Sequence, residues 1–220
     1  MHASYRAVLF DLDGTLLDTI DDLAESMNAT LDAMGLGTHD TFAYKLMIGD
    51  GMDKPARRAL PKHARDDDRT VAECVRRMND EYSKRWFIKT TPYKGIPELL
   101  DELAKKSMPM AVLSNKPHDF VKLNVQKFFL NWHFASVIGA RNGIPIKPDP
   151  YSALEIASDL KVPASDFLFL GDSDIDMKTA RAARMCPVGV LWGFRDEEEL
   201  RSSGAEMLLT KPLDLLQYID

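Results

Sequence analysis

The chain has 220 residues, 45% of them hydrophobic and 28% charged, with a formal net charge of −6. That balance suits a globular protein with room for one large domain, or for a core domain carrying a smaller insert. It excludes a general nucleic-acid binder, which needs a basic surface, while leaving room for a locally basic pocket.

The first predicted element is a strand. Val8-Leu9-Phe10 runs directly into Asp11-Leu12-Asp13-Gly14-Thr15, followed by Leu16-Leu17-Asp18-Thr19. A short apolar run closed by a turn signal suits a strand buried on both faces of a parallel sheet. Chemistry in such sheets gathers beyond the carboxyl ends of the strands, where Asp11 emerges. Gly14 permits the tight turn that leads the chain away. Thr15 is placed to bond the carboxylates or the local backbone. Asp11 and Asp13 lie close enough to repel, so they need a cation or a shared proton.

After Thr19 the period becomes helical, with Ile20, Leu23, Met27, Leu31 and Met34 on one stripe that ends at Gly35 and Gly37. A second helix begins near Thr41 and breaks at Gly49-Asp50-Gly51; a short third spans about Lys54–Leu60 and stops at Pro61. Asp66-Asp67-Asp68 places carboxylates at the start of a fourth helix, whose predicted face is Val71, Val75, Met78, Tyr82 and Trp86. No strand pattern occurs from about residue 20 to 88. We therefore expect an all-helical insert over residues 18–90, with residues 1–17 and 91–220 forming the sheet domain.

From there strands and helices alternate. Ile96 to Leu103 is a helix, Met110–Leu113 a buried strand ending at Ser114-Asn115, and Phe120–Leu130 a helix. Ser136–Gly139 is a short strand, and its following loop contains Lys147. Tyr151–Leu160 is helical, Phe167–Leu170 is a buried strand entering Gly171-Asp172, and Ile175–Arg184 is a helix. Pro187–Leu191 and Glu206–Leu209 complete the strands. The alternation predicts an α/β fold, a doubly wound parallel sheet with an inserted all-helical domain.

Three apolar runs thus end in polar residues suited to one site, Asp11, Ser114 and Asp172, with Lys147 at the same edge. Other chemistries fit less well. Cys74 and Cys186 are too few and too distant for a disulfide framework or a zinc site, and we expect free, buried thiols. A cysteine phosphatase needs an Arg six residues after its Cys, where Asp80 and Trp192 stand. Asp172-Ser173-Asp174-Ile175-Asp176 imitates a calcium loop, but Met177 and Ala183 replace the Gly and Glu it requires. Asp174 is assigned to solvent or a helix cap. His39, His63, His118 and His133 lack ligand spacing and are assigned to structure or surface. The N-terminus has no secretory pattern and no apolar run approaches the ~18 residues of a membrane span, so we expect a cytoplasmic protein with no membrane partner.

In Asp11-Leu12-Asp13-Gly14-Thr15, Ser114-Asn115, Lys147 and Gly171-Asp172 with Asp176, the chain resembles the haloacid dehalogenase superfamily, whose four motifs stand in this order. The resemblance covers nearly the whole chain and implies a Rossmann-like core with an inserted cap. It implies a phosphomonoester hydrolase in which Asp11 is the nucleophile and Asp13 the general acid and base. The implied cofactor is Mg²⁺, held by Asp11, the Asp13 carbonyl and Asp172, with Asp176 acting through water or behind the ligands. Thr15, Ser114 and the Asn115 backbone are implied to bind phosphate, and Lys147 to offset the crowded negative charge.

Ile48-Gly49-Asp50-Gly51 and Arg57-Arg58-Ala59-Leu60 are similar to the cap of phosphoglycolate phosphatases, which implies that Gly51 and Arg58 serve the substrate. Asp50 stands where that group commonly has Asn, and Arg184-Met185 where Ala-Gly is common. The implied partner is a small phosphorylated metabolite, first 2-phosphoglycolate, bound by a monomer or homodimer. A dehalogenase has no need of Asp13, and a phosphonatase needs a cap lysine and lacks that aspartate. A sugar-phosphate mutase, a pyrophosphatase or nucleotidase, and a non-catalytic phospho-ligand module remain as alternatives.

Overall fold

A computed structural model describes residues 5–219; the ends of the expected sheet domain, residues 1–4 and 220, lie outside the described residues. The chain divides into two compact units, Met1–Leu17 with Pro92–Asp220, and Asp18–Thr91. In chain order the elements are β1 (Ala7–Phe10), β2 (Leu17–Asp18), α1 (Ile20–Ala33), α2 (Thr41–Met47), α3 (Asp53–Ala59) and α4 (Asp68–Arg85). Then follow β3 (Thr91–Pro92), α5 (Ile96–Lys105), β4 (Met110–Pro117), α6 (His118–Phe128), β5 (Ser136–Ala140) and α7 (Tyr151–Leu160). The last are β6 (Phe167–Gly171), α8 (Asp174–Ala183), β7 (Cys186–Val190), α9 (Glu197–Ser202) and β8 (Met207–Leu209).

The first unit is a six-stranded sheet in the order β5-β4-β1-β6-β7-β8, with every pairing parallel. Because side chains alternate across a strand, β1 feeds two cores. Val8 and Phe10 join Leu168 and Leu170 beneath α5 and α6, while Ala7 and Leu9 join Phe167 and Phe169 beneath α7 and α8. All four β1 residues have no exposed surface. The strand order reverses beside β1, between β4 on one flank and β6 on the other. A doubly wound sheet places its ligand site in the crevice that opens there.

The second unit is helical. The α1 stripe of Ile20, Leu23, Met27 and Leu31 is buried as the spacing predicts. On α4 the buried residues are Val71, Cys74, Met78 and Tyr82, so the predicted face is corrected by part of a turn. Cys74 replaces Val75 because its thiol packs 3.8 Å from the Met27 sulfur, while Val75 and Trp86 are half-buried. Asp67 caps α4 by accepting from the Arg69 and Thr70 amides. The buried Asp22 accepts from the Lys89 and Thr90 amides and the Thr90 hydroxyl, which ties the end of this unit to its first helix.

Candidate active site

The carboxyl ends of β1, β4 and β6 carry the polar residues. Pairing sets Phe10 opposite Leu170, and the Asp11 amide donates to the Leu170 carbonyl at 2.9 Å, so Asp11 and Gly171-Asp172 leave the sheet side by side. Asp11, Asp172 and Asp176 are buried and each offers one oxygen within 4.8 Å of the others. Lys147 supplies the compensating charge. Its ammonium lies 2.7 Å from Asp11 Oδ1 and 2.7 Å from Asp176 Oδ1.

One ammonium among three carboxylates leaves excess negative charge. Burial pushes the Asp11 carboxyl well above the usual range, opposed by Lys147 and reinforced by Asp176 and Asp172. Burial, then Asp176, pushes Asp172 up to about 7. For Lys147 burial works against the charged form, yet Asp11 and Asp176 outweigh it and keep the ammonium protonated. Without a further cation, burial and mutual repulsion therefore oppose full ionisation of the cluster. An all-oxygen donor set with surplus charge fits a hard divalent metal. The space is also cut for the carboxylates. A Cβ on Gly14, which has φ +87°, would lie 2.3 Å from Asp172 Oδ2, and one on Gly193 would lie 2.3 Å from Asp172 Cβ.

Each acidic group is held in place. Asp172 Oδ2 accepts from the Phe194 amide at 2.8 Å, and its Oδ1 from the Thr15 hydroxyl at 3.4 Å. Thr15, expected to bind phosphate, is fully buried, and its hydroxyl donates to Asp172. Asp176 Oδ2 accepts from the Ser173 amide and hydroxyl in a capping box that starts α8. Of the two places expected for Asp174, the cap falls to Ser173 and Asp176, and Asp174 lies part-exposed, pairing with Lys178 one turn on.

β4 runs past the expected end at Leu113 to Pro117, its register with β5 slipping between those residues. Ser114 Oγ accepts from the Lys116 amide at 3.2 Å. The Asn115 side chain has a part that the sequence did not suggest: Oδ1 accepts from the Lys147 amide at 2.9 Å and Nδ2 donates to the Lys147 carbonyl at 3.0 Å. That pair of bonds fixes the backbone from which the Lys147 ammonium reaches Asp11. Lys116, part of the Ser114-Asn115-Lys116-Pro117 stretch that also resembles the phosphoglycolate phosphatases, had no role assigned from sequence; its ammonium lies 2.6 Å from Asp13 Oδ1. His118, as expected, is structural, its Nδ1 accepting from the Gly139 amide.

In the helical unit, Arg58 donates to Asp50 Oδ2 at 2.6 Å and to the Met47 carbonyl at 2.8 Å, bracing the turn that holds Gly51 at φ +84°. Burial alone would raise Asp50, but its bonds to Arg58 and Lys54 hold it below the ordinary range. Arg57 pairs instead with Asp68 and the Arg65 carbonyl. Both thiols are free and buried. No helix among the described residues is long and apolar enough to cross a membrane.

Comparison with known proteins points the same way. Residues 8–190 match the haloacid dehalogenase-like hydrolase family. A protein of Pectobacterium atrosepticum named phosphoglycolate phosphatase is 31% identical over 220 residues, covering 97% of this chain and 92% of its own. One of the same name from Pseudomonas syringae pv. tomato is 31% identical over 208 residues, covering 93% and 76%. A crystal structure from Lactobacillus delbrueckii subsp. bulgaricus, provisionally assigned as a phosphoglycolate phosphatase, is 29% identical with a TM-score of 0.91 over 98% of both chains. With the ends of β1 and β6 and the Lys147 loop meeting at one buried acidic cluster, this chain belongs to the haloacid dehalogenase-like hydrolases and is a phosphatase of that family.

Proposed function

We propose that the protein is a Mg²⁺-dependent phosphomonoesterase whose substrate is 2-phosphoglycolate and whose reaction passes through an aspartyl-phosphate on Asp11. The observation that carries this reading is the buried cluster of Asp11, Asp172 and Asp176 with the Lys147 ammonium between Asp11 and Asp176. In the first step a bond forms from an Asp11 oxygen to phosphorus and the bond to the leaving oxygen breaks. Asp13 gives that oxygen its proton. In the second, Asp13 takes a proton from water as the water oxygen attacks phosphorus, and the Asp11 carboxylate departs. Lys147 holds Asp11 in line and offsets charge, while the Ser114 hydroxyl and the Asn115 amide bind phosphate oxygens. Asp11, Asp172 and the Asp13 carbonyl would hold Mg²⁺, with Asp176 acting through water or behind the ligands, and the ion would supply positive charge that lets a carboxylate meet a phosphate dianion. We assign catalysis to the sheet unit and the part of a cap to residues 18–90, with Gly51 and Arg58 contributing to substrate selection. The two names borne by relatives at 31% identity support the choice of 2-phosphoglycolate.

The test is phosphate release from 2-phosphoglycolate, pyrophosphate, nucleoside monophosphates and sugar phosphates, with Mg²⁺ and with chelator. A dominant, Mg²⁺-dependent rate on 2-phosphoglycolate is expected, lost by about 10⁴-fold or more in Asp11→Asn. Near-normal turnover by that variant removes Asp11 as nucleophile, and a bisphosphate intermediate with little free phosphate identifies a mutase.

A further inference from the structure

Lys116 and Lys147 are the two buried lysines among the described residues. Lys147 is committed to Asp11 and Asp176. Lys116 sits on the other side of the chemistry, 2.6 Å from Asp13 Oδ1, with its side chain 3% exposed and that of Asp13 14%. An ammonium is costly to bury and repays that cost only through anionic or hydrogen-bonding partners. Asp13 Oδ1 is one such partner for Lys116.

The position matters because of what Asp13 does in the reading above. To receive a proton, the leaving oxygen must come within about 2.6–3.2 Å of an Asp13 oxygen. That brings it next to the Lys116 ammonium. In 2-phosphoglycolate the carboxylate is carried on the carbon bonded to the leaving oxygen. With bonds of roughly 1.2–1.5 Å, its own oxygens lie only about 3 Å from that atom. The carboxylate then falls within reach of Lys116.

We propose that Lys116 is a specificity residue: its ammonium, anchored on Asp13, pairs with an acidic group one carbon from the leaving oxygen, and so selects phosphate monoesters of 2-hydroxy acids. This rests on the assignment of Asp11 as nucleophile and Asp13 as proton donor. The discrimination is built into the sheet unit, at the atom where the phosphate bond breaks.

The experiment compares kcat/KM for 2-phosphoglycolate and for ethyl phosphate, which has the same skeleton without the carboxylate. Wild type is expected to favour 2-phosphoglycolate by about 30-fold or more, the range of a buried charge pair. In Lys116→Met that preference should collapse to within about threefold, and in Lys116→Arg, which keeps the charge, most of it should return. Equal slowing of both substrates with the ratio preserved overturns the proposal and leaves Lys116 as a support for Asp13. Wild type alone is decisive if Lys116→Met fails to fold: similar kcat/KM for the two esters overturns the inference while the phosphatase reading stands. Retained turnover of either ester in Asp11→Asn instead brings down the mechanism beneath it.

Discussion

The two units use cations in opposite ways. In the sheet unit Lys147 reaches Asp11 across 136 positions and Lys116 reaches Asp13 across 103, both from buried ammonium groups. In the helical unit Arg58 pairs with Asp50 only eight positions away, its side chain 41% exposed and that of Asp50 13%. Removing one member of a buried pair leaves a charge with nowhere to go, whereas the Asp50 left by Arg58 keeps Lys54 as a partner. The contrast teaches that the sheet unit has staked its stability on its chemistry and the helical unit has not.

The strongest way to break that comparison is Lys147→Met. Metal-free protein should lose about 3–5 kcal/mol in denaturant unfolding, because Asp11 and Asp176 are left facing each other in the interior. Added Mg²⁺ should return part of the loss, and its failure to do so would contradict the metal assignment. Phosphatase activity should fall below detection.

Next comes pH. Asp172 is raised from 3.8 to about 7 in the folded state, chiefly by burial and then by Asp176. Below 3.8 both folded and unfolded chains hold that proton; between 3.8 and 7 the folded chain keeps it while the unfolded chain releases it. This group's contribution to stability is therefore complete in acid and disappears as pH rises through about 7. In chelator, the stability of wild type relative to Asp172→Asn should decline from pH 5 to pH 8 by on the order of a few kcal/mol. A pH-independent difference would mean that Asp172 titrates normally.

Asn115→Ala sharpens the comparison, since it deletes two bonds to the Lys147 backbone without touching a charge. A loss of about 1–3 kcal/mol is expected, accompanied by a fall in kcat larger than any change in KM. The smallest effect belongs to Arg58→Ala, which should cost only about 0–1 kcal/mol. A loss above 2 kcal/mol, on the scale of a buried pair, would erase the distinction between the units.

Much of this site was legible because the polar residues that close apolar strands lie where an α/β sheet gathers its chemistry. Asp11 and Asp172 end runs of four and five residues with no other polar side chain, and helix periods flank both. The extension of β4 was illegible, because Ser114-Asn115-Lys116-Pro117 is polar and ends in proline. Only pairing of Pro117 with Ala140 draws it into the sheet. Lys116 was hidden for a related reason. A lysine beside a strand end ordinarily extends into water, and its partner is fixed by tertiary structure alone. The support of Asp172 by Phe194 left no sequence signal beyond Gly193, whose missing side chain makes room for the carboxylate. The α4 face shifted by one position because Cys74, small and apolar, fills the space against Met27 that Val75 would otherwise claim.

The central position of β1 has a consequence for the growing chain on the ribosome. Both neighbours that cover its edges, β4 and β6, follow it in the chain only after the helical insert. At roughly 5–20 residues per second, β1 waits about ten seconds or more for Leu170, which pairs with Phe10. During that time its two open edges and four fully apolar side chains have no native cover. The nascent protein thus carries an uncovered apolar strand until β6 is made, and slowing translation ahead of residue 167 should lengthen that exposure and lower the soluble yield.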